Sequence, residues 1–529
     1  TREYMSRIRG GANSTTIRVS TRPVRSHATR IDILVPLKGE AAKRQLDRVT
    51  PDTVIIGEED EAFTHVDCSA NLCVPLSTAG EGGRQDRANI VATGVIACIF
   101  DLEREILEKQ VRQIFAPKGE ETVRANLEAL WRGCDLGLSL VKGGKVPTVG
   151  RRKAGKPLIM NGTDAVVIGA LQGGCTFLSS YPMSPSTGVL TGLSGAADRF
   201  GLLVTQVEDE ISAINTALGA SYAGARAMVT TSGGGFDLMT EGISLAGIGE
   251  IPVVVHLAQR PGPGTGLPTR TAQEDLLLAL HGGHGEFPRV ILAPGDIEEG
   301  VSLTRRAFFL AEKYQVPVIV LTDQFFVDTI YDLTQVPLEE TPPRFIRETD
   351  ETYRRYAITD TGVSPLGIPG WGKGLVVVDS DEHDEEGHIT EDLTLRVRMV
   401  EKRLRKREGL EAESVPPSLS GDPDFETLVV HWGSTKWAVR EAIDSLGTGG
   451  IASLHFSQVY PLHPLGGEIM RKARRLVLLE QNASGQFGSL LKREWGLDPH
   501  DKILRWDGLP FGYDEVAEKL NGIIQGGGR

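Results

Sequence analysis

Between residues 160 and 330 short apolar runs alternate repeatedly with helix-length amphipathic stretches, the runs ending near Ser180, Val207, Thr230, Leu257, Leu292 and Leu321. This regularity constrains the fold more than any single motif in the chain. Short, nearly continuous apolar runs suit strands buried on both faces, and a helix between each pair returns the chain so that the strands lie parallel. The predicted product is an α/β fold built on a doubly wound parallel sheet. In such a sheet the loops beyond the carboxyl ends of the strands converge with helix starts, so ligand-binding residues are sought there.

The flanking regions read differently. Strands are expected over residues 31–35 and 53–56 with a helix after Gly39, followed by amphipathic helices over 88–114 and 121–138. These define a first domain, residues 1–141. Residues 142–158 mix glycine with like charges and have little to bury, which suits a linker. The repeating region fills 159–336. Residues 337–424 are proline- and charge-rich and predict an irregular connection with one exposed helix over the charged run 391–407. Strands over 428–431 and 476–480 then alternate with helices over 435–445 and 485–495, giving a third α/β domain over 425–529.

Composition removes several classes of function. With 57 basic against 70 acidic residues the formal net charge is −13, the wrong sign for a nucleic-acid surface. The sequence contains no apolar run of bilayer length, so no membrane partner is expected and a cytoplasmic location is. Cys68, Cys73, Cys98, Cys134 and Cys175 form no CxxC pair, and are expected to be buried apolar residues rather than cluster ligands. Residues 150–156 read GxxxxGK, but Pro157 stands where a phosphate loop needs Ser or Thr, and no apolar strand precedes it. The pairs His281/His284 and His383/His388 are read as ordinary histidines, so no metal site is assigned to this chain.

The strand ends carry the chemistry. After Ser180 comes Tyr181-Pro182-Met183-Ser184-Pro185-Ser186-Thr187, a proline-stiffened loop rich in hydroxyls. After Val207 come Glu208, Asp209 and Glu210, which either cap a helix in solvent or face a ligand. Ser232-Gly233-Gly234-Gly235 follows Thr230 and Thr231 and is either a plain turn or a loop whose amides can approach a ligand closely. Arg260 opens a long loop ending near Thr269, and is either a surface ion-pair partner or a clamp for a carboxylate. Their coincidence at one end of one sheet favours a site that orients a polar heterocycle beside a carboxylate substrate.

At these loops the chain resembles the 2-oxoacid:ferredoxin oxidoreductases. YPMSPST is similar to their YPITPS-type motif, EDEISAINTALGASYAGARAMVTTSGGGF to the segment with the cofactor-activating glutamate, and QRPGPGTGLPTRTAQEDL to their RGGPSTGLPT loop. The likeness extends back through RGGANSTTIRVS and forward through LVVHWGSTKWAVREAI and LLEQNASGQFGSLLKREWG. It implies a γ-type domain, a thiamin pyrimidine-binding domain and a transketolase C-terminal-like domain. The family's γ-type domain opens with a strand and a GxGGQG loop that this sequence lacks, so a segment upstream of Thr1 is expected.

The resemblance also implies a mechanism and its residues. Thiamin diphosphate is activated by a carboxylate on its pyrimidine ring, placed by position at Glu210, with Glu208 the alternative. Ser184, which replaces the family's usual Thr, together with Pro185, Ser232 and Gly233, falls on cofactor positions. Ser184, Arg260 and Thr269 fall on substrate positions, and Arg7, Arg9, Gly10 and Gly11 on positions for coenzyme A. Gly234 replaces the usual proline, while Pro261 and Gly264 alter the arginine loop, leaving the oxoacid open. No GDG motif for Mg²⁺ and diphosphate occurs in the sequence. A separate β-subunit is therefore expected to bring Mg²⁺, the diphosphate half of the site and a [4Fe-4S] cluster, in an (αβ)2 complex that reduces ferredoxin. The reaction implied is conversion of 2-oxoglutarate and coenzyme A to succinyl-CoA, or its reverse. The alternatives are pyruvate or branched-chain oxoacids, a thiamin decarboxylase or ligase that uses no ferredoxin, and a noncatalytic assembly subunit.

Overall fold

The computed structural model describes residues 2–5, 11–39, 43–58, 66–77, 87–147, 155 and 157–526. They gather into two units, one comprising the described residues between 2 and 155 apart from 25–27, the other residues 25–27 with 157–526.

In the first unit the parallel strands Ile31–Leu34, Val49–Gly57 and Ala70–Cys73 form a three-stranded sheet. The helix expected after Gly39 lies partly outside the described residues. The helix expected over 88–114 is two, Ala88–Ile99 and Arg104–Phe115, because Asp101 adopts a left-handed conformation (φ 53°) that no helix continues through. Ala88–Ile99 packs backbone to backbone on Glu120–Lys142. A Cβ on Gly133 would come within 2.0 Å of the Val91 carbonyl oxygen, and one on Gly94 within 2.1 Å of that of Leu130. This close approach brings the Cα atoms of Cys98 and Cys134 to 5.2 Å, and the two are disulfide-bonded. That corrects their expected role as free apolar thiols. Of the others, Cys175 is buried and Cys73 exposed.

The second unit is built on a seven-stranded sheet in the order Gln458–Tyr460, Val290–Leu292, Pro317–Asp323, Val253–Gln259, Ala227–Thr231, Phe177–Ser180, Leu203–Gln206. The last six are mutually parallel and end where the sequence pattern places them. The first, a three-residue strand from the C-terminal region, pairs antiparallel with Val290–Leu292. It is too short to show an apolar pattern. A second sheet of five strands has the order Ser418–Gly421, Ile451–Phe456, Thr427–Trp432, Arg475–Glu480, Asp501–Leu504, and is parallel except for the first.

The charged helix, Leu393–Ala412, is not the exposed element expected. It buries Met399, Lys402, Arg403, Lys406 and Leu410. Lys402 Nζ lies 2.6 Å from Glu250 Oε1 and Lys406 Nζ 2.5 Å from Oε2, while Arg403 pairs with Glu382 at 2.8 Å. Glu250 is held well below the usual carboxylate range: burial opposes its charge, but the Lys406, Lys402 and Arg355 cations outweigh that cost. The helical charge spacing is visible in the sequence; the distant carboxylates that neutralise it are not.

Candidate active site

The order of strands in the seven-stranded sheet locates the site. From Phe177–Ser180 the chain moves to the neighbouring strand on one side, Leu203–Gln206, and then crosses to the other side, Ala227–Thr231. Loops leaving strands at such a reversal diverge and open a crevice. The two loops that leave here are Tyr181–Ser186 and the Ser232–Gly235 run.

Three consecutive acids leave Leu203–Gln206, and the backbone gives them different tasks. Asp209 is the N-cap of helix Glu210–Tyr222, its side chain accepting the Ser212 N–H at 2.7 Å. Glu208 is exposed. Glu210, relieved of capping, turns inward to 3% exposure, and its Oε1 has no hydrogen-bond partner. It lies against Gly235, where a Cβ would come 2.6 Å from that oxygen and 2.1 Å from Thr231 Oγ1. Only glycine fits. Burial raises the pKa of Glu210, with Asp209 adding to the rise and Arg260 opposing it.

Three further buried polar atoms at these strand ends lack partners: Ser179 Oγ, Ser232 Oγ and Asp275 Oδ2. Native proteins pair nearly all such atoms, so a group of them at one crevice makes it the candidate ligand site. Asp275 went unnoticed in the sequence because an acid before the apolar run Leu276–His281 reads as a cap. It is the N-cap residue, yet its side chain makes no capping bond. Its carboxylate instead lies over Gly233, where a Cβ would be 2.5 Å from Oδ2. Burial and the neighbouring Glu274 push it up to about 7, while Arg260 works against the shift.

Arg260 follows Val253–Gln259 directly and is half-buried, with Nη1 donating to the Ser184 carbonyl at 2.6 Å. This bond joins the arginine loop to the Tyr181–Ser186 turn, which Ser186 closes by donating its N–H (2.9 Å) and Oγ–H (2.8 Å) to the Met183 carbonyl. Ser184 is exposed, Pro185 half-buried after a cis peptide bond, and Ser232 and Gly233 buried. Thr269 is half-buried on the far limb of the loop. The structure thus gathers Ser184, Glu210, Ser232, Gly233 and Arg260 at one sheet end. Of the residues matched to coenzyme A, Arg7, Arg9 and Gly10 lie outside the described residues; Gly11 belongs to the other unit and has φ 92°. His383, one of the two histidine pairs, is buried against the Tyr356 ring at 3.9 Å, whereas His388 is exposed beside Asp384 and Glu386.

Comparison with known proteins bears on the same region. Residues 168–402 match the family model described as pyruvate flavodoxin/ferredoxin oxidoreductase, thiamine diP-binding, and residues 1–136 the pyruvate ferredoxin/flavodoxin oxidoreductase model. The α-subunit of 2-oxoacid:ferredoxin oxidoreductase 2 from Aeropyrum pernix is 32% identical, covering 94% of this chain and 83% of its own length. The 2-oxoglutarate oxidoreductase subunit KorA of Mycobacterium tuberculosis is 30% identical over 92% of this chain and 77% of its own. Against four other 2-oxoacid:ferredoxin oxidoreductase α-subunits the chain spans 61–62% of their length. A solved 2-oxoglutarate:ferredoxin oxidoreductase from Magnetococcus marinus, with 2-oxoglutarate, coenzyme A and succinyl-CoA bound, superposes with a TM-score of 0.88 at 29% identity, covering 99% of this chain and 93% of that one.

Proposed function

This chain belongs to the α-subunits of the 2-oxoacid:ferredoxin oxidoreductases, enzymes dependent on thiamin diphosphate, and on that premise we propose that it turns over 2-oxoglutarate. With coenzyme A the products are succinyl-CoA and carbon dioxide, or the reaction runs in reverse as a carboxylation. The relatives named for 2-oxoglutarate support this choice of substrate. A β-subunit brings Mg²⁺, the diphosphate contacts and the [4Fe-4S] cluster, in an (αβ)2 complex that passes electrons to ferredoxin. Support for that division of labour is the missing GDG motif and the α-subunit naming of the relatives. The assignment of residues 1–141, 159–336 and 425–529 to γ-type, pyrimidine-binding and transketolase C-terminal-like domains belongs to the same reading.

One observation carries the proposal: Glu210 is buried at the sheet reversal, with Oε1 bare and glycine opposite it. Thiamin diphosphate supplies, when bound, a carbon nucleophile for the 2-oxo group. The residues fit its pyrimidine. Glu210 would hold a proton toward the ring nitrogen, and its raised pKa suits a group that must hold and release one. Ser184, Pro185, Ser232 and Gly233 would hold the ring. Arg260 offers a guanidinium for the substrate carboxylate, steadied by the Ser184 carbonyl, with Thr269 on the same loop. Arg7, Arg9, Gly10 and Gly11 are assigned to coenzyme A, and their substitution should raise the KM for coenzyme A alone.

The test is an oxoacid panel with the purified αβ complex. 2-Oxoglutarate should show the highest kcat/KM; a higher value for pyruvate or a branched-chain oxoacid would overturn the substrate assignment while leaving the thiamin reading intact.

A further inference from the structure

The loop that carries Arg260 is closed at its neck. Gln259 Oε1 accepts the Asp275 N–H at 3.0 Å and Gln259 Nε2 donates to the Thr322 carbonyl at 3.1 Å. Within the loop, the Gly262 N–H donates to Glu274 Oε2 at 3.0 Å and the Leu267 N–H to the Pro261 carbonyl at 3.0 Å. The returning limb is fastened to both sheets: Thr271 Oγ1 donates to Asp323 Oδ1 at 3.2 Å, at the end of a strand of the seven-stranded sheet, and Gln273 carries the attachment to the five-stranded one.

Gln273 is the centre of that attachment. Its N–H donates to the Gln481 carbonyl at 2.7 Å, and its Oε1 accepts the Gln481 N–H at 3.0 Å. Its Nε2 donates to the Trp432 carbonyl at 3.0 Å, and its own carbonyl accepts from Asn482 Nδ2 at 2.9 Å. Trp432 ends one strand of the five-stranded sheet, and Gln481 and Asn482 follow its neighbour Arg475–Glu480. Gln273, Trp432, Gln481 and Asn482 are all at least 97% buried, Gln481 being the most exposed at 3%. These two strands flank the reversal in the five-stranded sheet, since the strand between them in sequence, Ile451–Phe456, lies on the far side of Thr427–Trp432. Gln273 therefore fills the crevice where a parallel sheet ordinarily receives a ligand. The fit is close: a Cβ on Gly433, at φ 58°, would stand 3.0 Å from Gln273 Nε2. Either side of it, the Thr271 N–H donates to the Gly508 carbonyl and the Leu277 N–H to Gln486 Oε1.

We propose that Gln273 is a positioning residue for substrate recognition, which fixes the Arg260 loop by anchoring its returning limb in the crevice of the C-terminal sheet. The inference rests on the reading of Arg260 as the clamp for the oxoacid carboxylate. A residue pinned by two side-chain and two backbone hydrogen bonds restricts its loop, and small errors in placing a clamp cost large factors in recognition. The anchor makes no claim on Glu210, which stands on a different strand end.

The test uses the αβ complex with Gln273→Met, which keeps length and loses both side-chain hydrogen bonds. KM for the oxoacid should rise about tenfold, the scale of one or two lost hydrogen bonds, while exchange of the thiamin C2 proton without oxoacid stays at the wild-type rate. Gln273→Glu is the second variant. As a neutral acid it can still donate to Trp432 and accept from Gln481, so its KM should approach wild type at low pH and climb as the introduced carboxyl ionises. A purely structural role would lower the melting temperature of both variants and leave KM within twofold of wild type at every pH, which would overturn the proposal. So would a loss of C2 exchange equal to the loss of oxoacid recognition. Arg260→Lys separates the two readings: if it leaves kcat/KM unchanged the clamp assignment fails first, and if it weakens recognition while Gln273→Met does not, only the anchor fails.

Discussion

The two parallel sheets of the second unit each open a crevice where their strand order reverses, and the contents of the two crevices are opposite. At the seven-stranded sheet, Ser179, Glu210, Ser232 and Asp275 present buried polar atoms without partners. At the five-stranded sheet, Gln273 enters from the neighbouring loop and all of its hydrogen-bonding groups are met. An unpaired buried donor or acceptor costs about 1–3 kcal/mol. The first crevice therefore holds a standing cost, whereas in the second the polar atoms of Gln273 are satisfied by the protein and Gln481 Oε1 beside it stays bare. On the proposed reading one topology serves as a binding site in one place and as a fastening in the other, and the difference lies in what fills it.

The contrast breaks most visibly at Glu210. Glu210→Gln keeps the shape and one acceptor but removes the charge that the proposed role requires, so oxoacid-dependent dye reduction by the αβ complex should fall by roughly 10²–10⁴. The exposed Glu208, changed to Gln, should alter the rate less than twofold. If Glu208→Gln carries the loss instead, the assignment of the activating carboxylate is two residues off. Next in size is Arg260→Lys. An ammonium cannot present two parallel donors to a carboxylate, and kcat/KM for the oxoacid should fall about tenfold to a hundredfold while affinity for thiamin diphosphate is kept. A variant with unchanged kcat/KM would leave the crevice without its substrate clamp.

How much of this was legible in the sequence follows from the range over which each signal acts. The central strands announce themselves because each is a local apolar run, and the loops at their ends follow by topology. Glu210 could be singled out from Glu208 only through resemblance; the structural reason, that Asp209 takes the cap and frees its neighbour to turn inward, depends on backbone angles that composition does not display. Gln273 and Asp275 were invisible for a related reason. Both lie in a polar stretch that reads as loop and helix cap, and their roles depend on residues some 160 to 210 positions away or on a glycine in another turn. Lys402 and Lys406 misled in the opposite sense, since charges at helical spacing suggest a solvated face, and Glu250, which neutralises them, is about 150 residues distant.

Asp275 stands on the border between the two crevices, its backbone fastened to Gln259 and its carboxylate bare, and so it gives the finest test of the contrast. Its pKa is pushed up to about 7 by burial, with Glu274 and Asp237 adding to the rise and Arg260 opposing it. The unfolded chain ionises the same group near 3.9. Between those values the folded protein keeps a proton that the unfolded chain has lost, so this residue makes stability fall as pH rises from about 4 to about 7, after which its contribution is level. Asn cannot ionise and removes that slope. A rise of that size corresponds to about 4 kcal/mol at the limit, and partial exposure reduces the expected gain at pH 8 to roughly 1–2 kcal/mol. Denaturant unfolding of the wild type and Asp275→Asn at pH 5 and pH 8 checks this directly: the variant should be the more stable at pH 8, and the gap should narrow at pH 5. If Asp275→Asn is instead the less stable at pH 8, the carboxylate has a partner in solution, and Asp275 belongs with Gln273 among the fastened residues rather than with Glu210 among the open ones.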